Sequence, residues 1–130
     1  MKKFLSLACF ALLIASCNDN PKPAAAAHTI LGEWDSHLTI DGKPDVFLAR
    51  FKADGSFDAL SNGKLILSGN YRTIGDTVFL RDGLCDMAYE GAYRFSFPND
   101  SLRFDLIKDT CAPRVQGSDK VTLGRVLSTK

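Results

Sequence analysis

From Gly32 onward the chain is interrupted every few residues by turn-forming pairs, and this punctuation limits the folds open to it. Asp41-Gly42, Asp54-Gly55, Asn62-Gly63, Gly75-Asp76 and Pro98-Asn99-Asp100 break up short runs of alternating apolar and polar side chains. Gly and Asn tolerate the positive φ of tight hairpin turns, so these pairs predict antiparallel neighbours in succession. The resulting strands fall at residues 32–40, 46–52, 56–60, 64–73, 77–81, 88–97, 101–108 and 121–127, with longer loops at 82–87 and 109–119. No stretch carries a convincing helical period.

Side-chain direction supports the count. Tyr93, Phe95 and Phe97 share one face of the sixth strand, and Leu102, Phe104 and Leu106 share one face of the seventh. These two strands are expected to pair with their aromatic and leucine side chains inward. The fourth strand presents Leu65, Leu67 and Tyr71 on one face, with Gly69 breaking the row and predicting a bend or bulge. Eight consecutive hairpin-linked strands are what a small closed barrel needs, and closure removes exposed sheet edges. The predicted fold is all-β, an eight-stranded antiparallel up-and-down barrel. A two-sheet sandwich is the competing architecture, but it calls for longer cross-connections than the sequence offers.

The N-terminus predicts export. Met1-Lys2-Lys3 is a basic start, and the apolar run from residue 4 to residue 14 is interrupted only by Ser6. A bilayer-spanning helix needs about 20 apolar residues, so the run is too short to span and fits a secretory signal. It ends at Ile14-Ala15-Ser16-Cys17, an aliphatic residue, two small ones and a cysteine, which resembles the bacterial lipobox. The resemblance implies cleavage before Cys17, a thioether diacylglycerol on its sulfur, and an acyl chain such as palmitate on its amine. One acyl chain anchors marginally and two or more anchor stably. The expected organisation is a lipoprotein signal peptide at 1–16, a lipidated tether at 17–28 holding Pro21, Pro23 and Ala24–Ala27, and the barrel at 29–130. Asn18 follows the cysteine, where an aspartate would favour inner-membrane retention in some bacteria. The expected location is therefore the cell envelope at the outer membrane, on either face.

Export sorts the four cysteines. Cys9 leaves with the leader and Cys17 carries lipid. Cys85 and Cys111 remain in an oxidising compartment, where a disulfide is the default. Closing that loop is worth on the order of 3 kcal/mol. Two cysteines without neighbouring histidines supply too few ligands for zinc. Loss of Lys2 and Lys3 with the leader takes the formal net charge from +1 to −1, which gives no electrostatic case for nucleic acid.

Gly32-Glu33-Trp34 opens the first strand and Arg125 lies in the last. Lipocalins begin their barrels with Gly-x-Trp and pack a basic residue from the last strand on that tryptophan, so the two features resemble that family. A guanidinium over an indole face gains a cation–π contact and seals one barrel end. A second pattern is similar to small secreted bacterial lipocalin-like proteins. It comprises Gly69-Asn70-Tyr71, Gly75-Asp76-Thr77-Val78, Cys85, Gly91-Ala92-Tyr93-Arg94-Phe95, Leu102-Arg103-Phe104 and Asp109-Thr110-Cys111-Ala112-Pro113-Arg114. It covers about half of the mature chain and implies the Cys85–Cys111 pairing.

Three sets of residues are candidates for function. Trp34, Tyr71, Tyr93, Phe95 and Phe104 are candidate lining for a ligand pocket, or simply barrel filling. Asp109, Cys111 and Arg114 form the sharpest polar group. Arg114 would grip an anionic head group at the barrel mouth, or the group would be a knot in which an Asp109–Arg114 ion pair and the disulfide order a long loop. The knot is the favoured reading. Catalysis has no supporting pattern: His28 and His37 stand apart, no nucleophile elbow or phosphate loop is present, and Asp54-Gly55 with Asp58 lacks a calcium ligand set. No cofactor is expected. The function expected is that of a monomeric, lipid-anchored binding module for a small apolar or amphipathic molecule; the alternative is a filled barrel whose loops meet another envelope protein.

Overall fold

The computed structural model describes residues 28–127. The leader, Cys17 and the tether through residue 27 lie outside the described residues, as do residues 128–130. Eight strands follow one another: β1 Gly32–Ile40, β2 Lys43–Phe51, β3 Ser56–Ser61, β4 Lys64–Ile74, β5 Thr77–Asp82, β6 Gly91–Ser96, β7 Ser101–Lys108 and β8 Thr122–Arg125. Each pairs antiparallel with the next, and β8 returns to β1, so the sheet is a closed barrel. Trp34 opposite Arg125 and Asp35 opposite Gly124 make the closing ladder. The all-β up-and-down barrel expected from the turn signals is the fold observed.

Turn chemistry sets the register. Asp41 and Gly42 have φ of 50° and 75°, and Asn62 and Gly63 have 48° and 77°. Both central residues of each turn are left-handed, as a two-residue hairpin with the sheet's own twist requires. Ile40 therefore faces Lys43, and Ser61 faces Lys64. β2 begins earlier than expected and includes Pro44. The β2–β3 ladder begins only at Phe47 opposite Ser61, so the missing Pro44 N–H costs no hydrogen bond on that side.

Three further features depart from expectation. The loop at 109–119 contains a helix, α1 Ala112–Ser118. Its 7 residues are too few to show a period, but Pro113 at its start is preset for the first turn. The irregularity of β4 is not at Gly69. Ala59 faces Leu67 while Leu60 faces Leu65, which leaves Ile66 as the extra residue of a bulge. A bulge inverts side-chain alternation, so Leu65 stands exposed rather than on the face of Leu67 and Tyr71. Gly69 has a different reason: a Cβ there would strike the Arg81 carbonyl and sit 2.6 Å from the Phe57 ring. A second bulge at Ile107 separates Ala92–Lys108 from Tyr93–Leu106. Tyr93, Leu102 and Phe104 point inward as expected, and Leu106, beside the bulge, is half exposed.

The core runs through the barrel from Ile30, Trp34 and Leu102 to Phe51, Phe57, Val78, Leu80, Phe104 and Leu123. Each large apolar side chain removed from water contributes about 1.5–3 kcal/mol. The two ends of the barrel differ. At one end lie the chain entry at His28, with its ring 5.3 Å from that of Phe97, and the polar turns around Asp54, Asp76 and Asn99. At the other lie the β1–β2 and β3–β4 hairpins, the β5–β6 loop and α1.

Candidate functional site

A cavity of about 250 Å³ lies inside the barrel toward the α1 end. Its origin is two small residues. Ala49 of β2 and Ala59 of β3 stand opposite each other, both buried and both on the cavity wall. The inward positions flanking them carry Phe47, Phe51 and Phe57, so the alanines leave a gap in an otherwise aromatic wall. Leu80, Phe104 and Leu123 line the far side, and α1 lays Pro113, Gly117 and Ser118 across the end. The volume lies between the ~150 Å³ that admits a benzene-sized molecule and the ~300 Å³ at which drug-sized pockets begin.

The cavity has an edge open to water. Ile66, the bulged residue of β4, and Leu84 of the β5–β6 loop both line it and are both about half exposed. Leu38, Ile40, Leu65, Met87, Leu106 and Ile107 are exposed on the strand ends and loops of the same end. An apolar rim of this kind marks a contact or entry surface more often than a solvated one.

The opposite end is sealed. Trp34 is fully buried, its Nε1 donates to the Ile30 carbonyl at 2.8 Å, and Phe97 packs at 5.8 Å. The Arg125 guanidinium lies 4.3 Å from the indole centroid, which is the contact implied by the Gly-x-Trp resemblance. Arg125 also reaches Asp100 at 3.2 Å.

Beside the cavity sits a polar knot. Asp109 accepts from Arg114 Nε at 2.6 Å and from Tyr93 Oη at 2.6 Å through Oδ2. Through Oδ1 it accepts from Arg114 Nη2 at 3.1 Å and from the Cys111 N–H at 2.8 Å. These four donors occupy the lone-pair sites of the carboxylate. Burial acts to raise the Asp109 pKa, but the bonds from Arg114, Tyr93 and Cys111 outweigh it and hold the carboxyl below its ordinary range. Burial and the neighbouring Asp109 carboxylate push the Tyr93 phenol well above its usual pKa. Burial opposes the charge of Arg114, yet Asp109 and Asp82 hold the guanidinium above its usual value.

The knot is built from three segments. Tyr93 comes from β6, and Asp109 and Arg114 come from the β7–α1 region. Asp82, fully buried at the end of β5, lies 3.5 Å from Arg114 Nη1 and accepts the Leu84 N–H at 3.0 Å. The Cys85–Cys111 disulfide joins the β5–β6 loop to the residue before α1, as expected, with the Cα atoms 5.9 Å apart. Tyr89 in that loop places its ring 5.9 Å from the Arg114 guanidinium and accepts the Thr110 N–H at 3.2 Å. Gly91 opens β6 because nothing larger fits: a Cβ would collide with the Asp109 carboxylate and lie 3.0 Å from Arg114 Nε. Among the described residues, no group of three or more His, Cys, Asp or Glu is arranged to hold a metal ion.

The residues singled out from sequence thus separate. Phe104 and Arg114 line the cavity. Tyr93 supports Arg114 through Asp109 without lining it. Tyr71 packs edge-on to Phe51 at 5.1 Å and donates to the Lys52 carbonyl at 2.7 Å, while Phe95 lies against Phe97 at 5.8 Å. Trp34 plugs the sealed end. Cys17 lies outside the described residues. Sequence reasoning missed Ala49, Ala59 and Asp82, and named Gly91 within the family pattern without its role beside Asp109 and Arg114. The alanines were visible as small residues alternating with phenylalanines, but their juxtaposition depends on register. Comparison with protein-family models, with curated proteins and with solved structures finds no match to the chain.

Proposed function

We propose that this chain is a lipid-anchored cell-envelope protein whose barrel holds a small apolar or amphipathic molecule, without catalysing a reaction. The observation that carries the binding half is the cavity: apolar walls, one open edge with an apolar rim, and a buried Arg–Asp pair at its side. Binding sites of this kind combine an apolar body with few polar groups. The anchoring half rests on the leader and Cys17 in sequence, and the Cys85–Cys111 bridge suits the oxidising compartment they imply. His28 enters at the sealed end, so a tether fixed at Cys17 attaches opposite the cavity's opening.

Two experiments test the two halves. Native mass spectrometry of protein purified from its own host is expected to show the chain with an added small molecule that dissociates on activation; the bare chain alone would count against binding. Metabolic labelling with tritiated palmitate is expected to mark the wild type and not Cys17→Ser. Equal label in both would remove the anchor assignment.

A further inference from the structure

The charged groups beside the cavity select the chemistry of its occupant. Asp82 and Arg114 are the charged residues on the cavity wall, and Asp109 backs Arg114 directly. The knot therefore carries two carboxylates against one guanidinium. Asp109 spends its lone-pair sites on four donors, so the knot's unspent donor is Arg114 Nη1. That nitrogen is buried, closed even to a water molecule, and has no hydrogen-bond partner among the described residues; the Asp82 carboxylate stands 3.5 Å away, so an acceptor in the cavity reaches Nη1 only when the guanidinium shifts toward it. A buried donor without a partner is costly, and an incoming acceptor removes the cost.

Two demands follow for an occupant. It must offer an acceptor atom to Nη1, and it must not bring a full negative charge beside an excess of carboxylate, where the low local dielectric strengthens repulsion. A carboxylate meets the first demand and fails the second. An ammonium group fails the first. A hydrocarbon leaves Nη1 as it is. Resting on the reading of the cavity as a ligand site, we propose that its occupant is an uncharged molecule of about ring size carrying one carbonyl or hydroxyl oxygen, seated against Arg114 Nη1. The guanidinium discriminates against acids here, reversing the anion grip that a lone buried arginine would give.

The test uses three probes of similar size on the purified chain with its disulfide intact, in detergent-free buffer near neutral pH: acetophenone, benzoate and toluene. Acetophenone and benzoate have the same shape and differ in charge. Acetophenone is expected to bind at least tenfold more tightly than benzoate. It is expected to move the Arg114 guanidinium signals in nitrogen-detected spectra, and toluene is expected to leave them in place. Asp82→Asn keeps the acceptor for Leu84 N–H and removes one negative charge, so it is expected to narrow the acetophenone–benzoate gap by about tenfold. Benzoate binding as tightly as acetophenone, an unmoved Arg114 signal, or an unchanged gap in Asp82→Asn would each overturn the head-group assignment while toluene binding kept the cavity reading intact. Failure of all three probes to bind would overturn the cavity reading and this inference with it.

Discussion

Ala59→Leu asks whether the space beside Ala49 is empty. The substitution adds three carbons at a buried position on the cavity wall. At about 0.8 kcal/mol per buried methylene, removing those carbons from water is worth about 2.4 kcal/mol. Freezing the leucine rotamers takes back about 0.5–1 kcal/mol. With a cavity of about 250 Å³ to grow into, the side chain meets no wall, and the net expectation is about 1.5 kcal/mol of added stability. For a domain of this size each kcal/mol moves Tm by about 4–8 °C, so the melt followed by far-UV circular dichroism should rise by about 6–12 °C. A barrel already filled by its own side chains gives the opposite sign, because overpacking costs about 1–3 kcal/mol. The variant should also lose toluene binding. A lowered Tm would refute the reasoning, since it would mean the alanines face packed atoms and not a void.

Gly91→Ala is expected to destabilise by about 3 kcal/mol in urea titrations, because its methyl displaces Asp109 from Arg114 and breaks a buried pair. Gly83→Ala, where a Cβ meets nothing, should stay within about 0.5 kcal/mol of wild type. Replacing both Cys85 and Cys111 by serine frees a separation of 26 residues and should cost about 3.5 kcal/mol by the chain-entropy relation, read as a lower urea midpoint. Asp109 has a lowered pKa in the folded state, so its contribution is present above the ordinary aspartate range and is lost as pH falls through the folded value. The wild type should lose stability on acidification below about pH 4, and Asp109→Asn should be less stable at pH 7 with a flatter acid profile. A steeper acid profile in the variant would contradict the sign.

Much of the barrel was legible because its information is local. Asn62-Gly63 and Asp41-Gly42 write their left-handed turns in two letters each, and each turn fixes the pairing of the strands beside it. Closure was legible in outline, since hairpins in series leave the last strand to meet the first. What escaped was information held between distant segments. The bulge at Ile66 carries no marker of its own, and it turns Leu65 outward while Leu67 stays packed against the core. Helix α1 is shorter than two full turns and holds a glycine, so no period announced it. The cavity depends on the Ala49–Ala59 register, and the charge balance of the knot depends on Asp82, which lies 32 positions before Arg114 and meets it only across the barrel end. Asp109 and Arg114, by contrast, sit 5 residues apart and could be read as a pair from the sequence.

The hollow interior is tested most directly by titrating toluene while watching the methyl carbons of Ala49, Ala59, Leu80 and Leu123. These four groups converge on the cavity from β2, β3, β5 and β8. Saturable shifts in all four, with the methyl signal of the buried core residue Val78 unmoved, are the expected result. Methyl signals that stay in place up to the solubility of toluene would contradict the account, because they would show that no space inside the barrel admits a small apolar molecule.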